Sequence, residues 1–225
     1  MKWLYKLENK YGRFCIPNLM LVIVIGQGMV FLANLFAPAA GIIGRLALIW
    51  PFVLQGQIWR LITFVFVPSD SSVLFLLISL YFYYFIGHTL ENTWGAFKFN
   101  VYYLLGVLGA IVAAVLAGAA TTTYLNLSLF FAFAMLYPDM QVLLFFVFPI
   151  KMKYLAYVSA GLTLLSVLTG SWMDRACILM ALVNFFIFFG GDFTTRVKQE
   201  IRYGKTRRAW KSQNRNQNGS NRGGW

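Results

Sequence analysis

A chain of 225 residues that is 60% hydrophobic and 12% charged, with mean hydropathy +0.67, does not describe a soluble domain. Its formal net charge of +12 comes from sparse Lys and Arg. These leave several segments of about 20 residues uncharged, as in a multi-pass membrane protein.

In chain order, residues 1–16 form a basic cytoplasmic N-terminus with no small-residue cleavage site, so no cleavable signal peptide is expected. Residues 17–191 form the membrane domain, read as six spans at 17–37, 71–87, 99–119, 124–148, 154–171 and 173–191. The loop over 38–70 is too polar to span and too apolar to float free, so it is expected in the membrane interface. The fourth span is broken at Pro138-Asp139 and ends at Pro149, which predicts a short helix followed by a re-entrant or interfacial turn. Residues 192–225 shift abruptly to Arg, Lys, Asn, Gln, Gly and Ser, a basic and mostly disordered cytoplasmic tail that cannot bury a core.

Orientation follows from the basic residues. With the N-terminus inside and six spans, sixteen of the 19 Lys and Arg fall on the inner side, leaving Arg45, Arg60 and Arg175 outside. Both termini are therefore expected in the cytoplasm. Cys15 then lies near the inner leaflet and Cys177 near the outer end of span six, too far apart for a disulfide. The single histidine, His88, and the absence of Cys-x-x-Cys or His-Glu-x-x-His spacing give no metal site. No cofactor is expected.

Span three carries Gly106, Ala110, Ala114 and Gly118 at intervals of four, which lets helix backbones approach closely in lipid. Packing within the bundle is the expected use, and a homo-oligomer face is the alternative. Spans two and six are rich in aromatics and suit lipid-facing or lateral-gate surfaces.

Three blocks are more specific: "GQIWRLITFVFVP" in the first loop, "GHTLENTWGAFKFNVYYLLG" after span two and "AMLYPDMQVLLFFVFPIKMKYLAYV" between spans four and five. In the first, Trp59 anchors at headgroup level, and Arg60 offers donors to carbonyls of irregular backbone that lipid cannot satisfy. In the second, Glu91, Trp94 and Lys98 are spaced three and four apart, so a continuous helix would put Glu91 and Lys98 on one face; with Gly95 they are expected to fix the inner turn.

The order and loop lengths of these blocks, over residues 45–191, resemble the rhomboid superfamily. The resemblance implies an all-α, six-transmembrane-helix bundle with an interfacial first loop, a lateral opening that admits transmembrane helices, and local thinning of the bilayer. Active members use a glycine-flanked serine on span four and a histidine on span six, helped by a His and an Asn on span two. Carried over residue by residue, that set is missing. Neither Thr123 nor Ser128 is flanked by glycine, span six offers Asn184 and Cys177 but no histidine, and the oxyanion Asn position falls near Ser79.

The expectation is therefore a derlin-like pseudoprotease, not an enzyme, that binds or hands over transmembrane clients in membrane protein quality control. Ser128 is a weak catalytic candidate at most; it is expected to bond to preceding carbonyls of its own helix or to Asn126. Asn126, Ser128 and Asn184 are the client or lateral-gate candidates. The alternatives are an active rhomboid-type serine protease with an unrecognised base, and an insertion or quality-control factor that uses the tail. An aspartate dyad of Asp139 and Asp192 fits poorly, because both fall at helix ends rather than mid-span. The expected partners are the lipid bilayer, transmembrane-helix clients and anionic lipid at Lys205, Arg207, Arg208 and Lys211, at about 1 kcal/mol per basic residue. The ribosome or an acidic protein is the alternative partner of the tail.

Overall fold

The structure, a computed structural model, describes residues 15–69, 72–144 and 148–189. Lys205, Arg207, Arg208 and Lys211 of the tail, and nearly all of the N-terminal segment, lie outside the described residues. The chain divides into two compact units between Phe185 and Phe186, and of the second only residues 186–189 are described.

Helix α1 (Leu19–Phe36) is followed by a loop that folds into α2 (Ile42–Leu46), β1 (Leu48–Ile49), α3 (Trp50–Leu54) and α4 (Arg60–Thr63). Then come α5 (Val73–Trp94), α6 (Ala96–Ala117), β2 (Ala119–Ala120) and α7 (Thr123–Leu136). A hairpin of β3 (Gln141–Leu144) and β4 (Phe148–Lys151) leads into α8 (Met152–Thr169) and α9 (Trp172–Phe189). Helices α1, α5, α6, α8 and α9 are long and apolar enough to cross a bilayer. At 1.5 Å per residue, the 14-residue α7 reaches about 21 Å, short of a hydrocarbon core of about 30 Å. This is an all-α membrane bundle.

Exposed Leu, Ile, Val and Phe cover the outside of α1, α5 and α8, as a lipid solvent allows. Where helices meet, small residues set the approach. A Cβ on Gly87 of α5 would collide with the Met20 side chain of α1, and one on Gly26 would collide with the Phe66 ring. Met20, Ile86, Leu90, Phe99, Phe133 and Ile178 form part of the buried interior.

Hydrogen bonds sort the elements into two ends. At one end Glu91 Oε1 accepts from the Asn18 backbone N–H at 2.7 Å, and the hydroxyls of Thr93 and Tyr137 lie 2.8 Å apart beside the hairpin. At the other, β1 pairs antiparallel with β2, the hydroxyls of Ser69 and Thr122 meet at 3.4 Å, and Tyr124 reaches Asp174. Lys98, Lys151 and Lys153 belong to the hairpin end; Arg45, Arg60 and Arg175 belong to the loop end.

Three sequence expectations change. The second helix does not stop at 87 but runs on to Trp94, because Gly87 is a packing contact and the true stop is Gly95, at φ 87°. Glu91 and Lys98 therefore lie on different helices and share no helical face. Around Pro138 the expected short helix and turn take the form of α7 and a β-hairpin. Gly118 is not a packing residue: it ends α6 at φ 87°, and a Cβ there would meet nothing within 4 Å.

Candidate functional site

Some of the buried polar groups of the bundle, Ser128 and Asn184 among them, gather where α6, α7 and α9 meet. At their centre is Tyr102 of α6, a residue the sequence did not single out and one that is 1% exposed. A phenol in an apolar interior needs a partner, and Tyr102 finds it on α7. Its hydroxyl donates to the Ser128 carbonyl at 3.0 Å and lies 2.5 Å from Ser128 Oγ, while the Trp94 ring packs against its edge at 5.5 Å between centroids. Ser128 thus bonds to a neighbouring helix rather than to its own preceding carbonyls or to Asn126. Asn126 is buried one half-turn earlier on the same helix.

Asn184 of α9 closes the cluster. Its Nδ2 donates to the Tyr102 carbonyl at 3.4 Å, and its buried Oδ1 has no hydrogen-bond partner among the described residues. Gly106 permits this approach, since a Cβ there would lie 3.1 Å from Asn184 Nδ2. Ala110, Tyr124, Ser128, Cys177 and Asn184 line a cavity of about 10 Å³, the scale of a single water. At the loop end, Tyr124 donates to Asp174 Oδ1 at 2.8 Å. Asp174 and Ser171 cap α9 reciprocally: Ser171 N–H reaches Asp174 Oδ2 at 3.2 Å, and Asp174 N–H reaches Ser171 Oγ at 3.3 Å.

The first loop is organised around Arg60, which is 4% exposed. Its Nε donates to Gln57 Oε1 and its Nη1 to the carbonyls of Gly44 and Ala47, all at 2.7 Å, with the cation 4.9 Å above the Phe52 ring. Thr63 Oγ1 adds a bond to the Leu46 carbonyl at 3.1 Å, and buried Gln27 of α1 donates to the Val65 carbonyl at 3.0 Å. Trp59 projects outward beside exposed Ile58 and Ile62, as a lipid-facing anchor would. Ala114 is fully buried on α6.

At the hairpin end, Glu91 holds the start of α1, where Asn18 takes a left-handed φ of 54°. Its second oxygen, Oε2, is buried without a hydrogen-bond partner among the described residues. Asp139 stands at the base of the hairpin; a hydrogen bond from Lys153 at 2.9 Å, with Lys151 at 3.6 Å, holds its carboxyl below the ordinary carboxylate value. Asp192, the second aspartate of the dyad weighed from the sequence, lies outside the described residues. His88 contacts only residues of its own helix among its described partners, stacking on Tyr84 and lying 3.0 Å from Asn92. Among the described residues no group of three His, Cys, Asp or Glu could hold a metal ion.

An apolar bundle with a polar seam and, among the described residues, no charged pair at its centre defines an integral membrane protein. Residues 18–189 match the family of eukaryotic integral membrane proteins DUF1751, and the chain belongs to that family. No curated protein matches it.

Proposed function

We propose that the chain is a catalytically inactive rhomboid-like membrane protein, with six spans and both termini cytoplasmic, that binds transmembrane helices and retains or hands them over without cutting them. The observation that carries this reading is the partner of Ser128. A serine attacks an amide only when a base takes its proton. The hydroxyl of Ser128 faces the phenol of Tyr102, which at neutral pH is itself protonated. Across the cavity stands Asn184, whose amide takes up no proton at that pH.

The client-binding half of the proposal is supported by packing. Only 11% of the apolar stretch of α8 is buried inside the protein, and Tyr157, Leu162, Leu165 and Leu168 lie exposed along it. The short α7 favours a thinned bilayer beside it. Orientation is supported by the sorting of Lys and Arg between the two ends. Binding of the tail to anionic lipid rests on its composition alone.

Photo-crosslinking tests the reading. A photoreactive residue at Leu162 or Leu165 of α8 should capture a reporter transmembrane helix in vesicles, and one at Leu32 of α1, equally exposed to lipid, should not. Equal capture at α1 and α8 would remove the case for a client site.

A further inference from the structure

We propose that the cavity between α6, α7 and α9 binds a single water molecule, which donates one hydrogen bond to Asn184 Oδ1 and one to Ser128 Oγ and so closes a ring of hydrogen bonds through all three helices. The inference stands apart from the proposed client binding.

Three helix faces build the cavity. Helix α6 presents Gly106 and Ala110, α7 presents Leu125 and Ser128, and α9 presents Ala181 and Asn184, each pair three or four residues apart and so on one side of its helix. Glycine and alanine at three of these positions keep side chains out of the space. Ser128 and Asn184, 2% and 4% exposed, bring polar atoms to its wall. A volume of about 10 Å³ stands at the lower bound for one water and admits no larger ligand.

The hydrogen-bonding groups fix what the ligand must offer. Asn184 Nδ2 faces the Tyr102 carbonyl at 3.4 Å. Turning the amide over would set oxygen against oxygen, so this orientation is the one the surroundings allow, and it leaves Oδ1 as the orphaned, buried acceptor. On α7, the one proton of the Tyr102 hydroxyl goes to the Ser128 carbonyl at 3.0 Å, so the contact between the two hydroxyls is made by the Ser128 proton. Ser128 Oγ keeps its lone pairs and can only accept. Tyr124, another hydroxyl on the wall, spends its proton on Asp174 Oδ1 at 2.8 Å.

Two acceptors on facing helices call for a molecule with two donors, and one water supplies both. A cavity lined by apolar side chains alone stays dry, whereas polar groups that converge on a space of this size hold a water. The bonds then run from Ser128 to the Tyr102 hydroxyl, from the water to Ser128 and to Asn184, and from Asn184 back to the Tyr102 carbonyl. Every buried polar atom of the ring is satisfied, and α9 gains a second polar tie beside its long direct bond to α6. The water takes no proton from Ser128, whose O–H points at Tyr102, so the serine gains no base.

X-ray radiolytic footprinting of the full chain in lipid vesicles tests the proposal, because hydroxyl radicals made from a bound water oxidise the sulfur beside it. Cys177 lines the cavity, while Met20 and Met152 are buried at 1% and 0% exposure and do not. After correction for the intrinsic reactivity of each sulfur, Cys177 should oxidise faster than both methionines. Asn184→Leu keeps the size of the side chain and removes one acceptor of the water, so it should lower the Cys177 rate about tenfold, the scale of one lost hydrogen bond. Ser128→Ala, which removes the other acceptor, should lower it comparably. A Cys177 rate no higher than those of Met20 and Met152 means a dry cavity and overturns the proposal. So does an undiminished rate in a folded Asn184→Leu variant; if that variant misfolds, the Ser128→Ala rate decides.

Discussion

Replacing Arg60 with alanine should destabilise the protein more than replacing Ser128 with alanine. The guanidinium satisfies the carbonyls of Gly44 and Ala47 and the side chain of Gln57, and its cation rests on Phe52. Alanine strands two carbonyls of irregular backbone at about 1–3 kcal/mol each when buried. Both bonds are only partly buried, which selects the lower part of that range and gives about 2–4 kcal/mol for the pair. At about 2–4 °C per kcal/mol for a chain of this size, the thermal midpoint should fall by about 4–16 °C. Ser128→Ala removes one hydroxyl while Tyr102 keeps the Ser128 carbonyl, a loss of about 0.5–1.5 kcal/mol or about 1–6 °C. Arg60→Lys, which keeps a donor but not the fork, should fall between them. First-scan thermal midpoints in detergent, with folded yield from size exclusion, make the comparison. Equal midpoints for Arg60→Ala and Ser128→Ala would refute the idea that Arg60 organises the loop.

A double-mutant cycle of Tyr102→Phe and Ser128→Ala should show a coupling of about 0.5–1.5 kcal/mol; additive losses would mean that their contact carries no stability. The Asp139 carboxyl is held below its unperturbed 3.8, chiefly by the hydrogen bond from Lys153. A depressed carboxylate stabilises fully above its unfolded value and loses that contribution as pH falls through its folded one. Hydrogen-exchange protection of the hairpin should therefore hold above about pH 4 and decline below it, and Asp139→Asn should flatten the decline; an equally steep profile in that variant contradicts the assignment. Single cysteines near positions 70, 121 and 172 should react from outside sealed cells, and those near 92, 151 and 210 from the cytoplasm; any interchange of these groups breaks the six-span topology.

Long uninterrupted apolar runs made α1, α6, α8 and α9 legible to within a few residues, because nothing but a helix satisfies its own backbone in lipid. Gly87 misled the reading of α5. In water a glycine weakens a helix, but here it receives Met20, and only the positive φ of Gly95 marks the stop. The hairpin after Pro138 was hidden because residues 142–148 are apolar throughout and lack the alternation of a half-buried strand. Tyr102 was passed over as one of 12 tyrosines in an aromatic-rich chain. The signal that could have found it is a hydroxyl deep in an apolar run, which must find a partner. The carbonyls bound by Arg60, and the backbone N–H that Glu91 receives from Asn18, 73 residues away, leave no trace in residue type.

The central claim is that the bundle lacks a nucleophile. Purified protein in native-like vesicles should be treated with a serine-reactive fluorophosphonate and, separately, with a reporter transmembrane helix. No serine should label and no reporter should be cleaved, because Ser128 has Tyr102 and not a base as its partner. Stoichiometric labelling that disappears with Ser128→Ala, accompanied by cleavage of the reporter, would contradict the account.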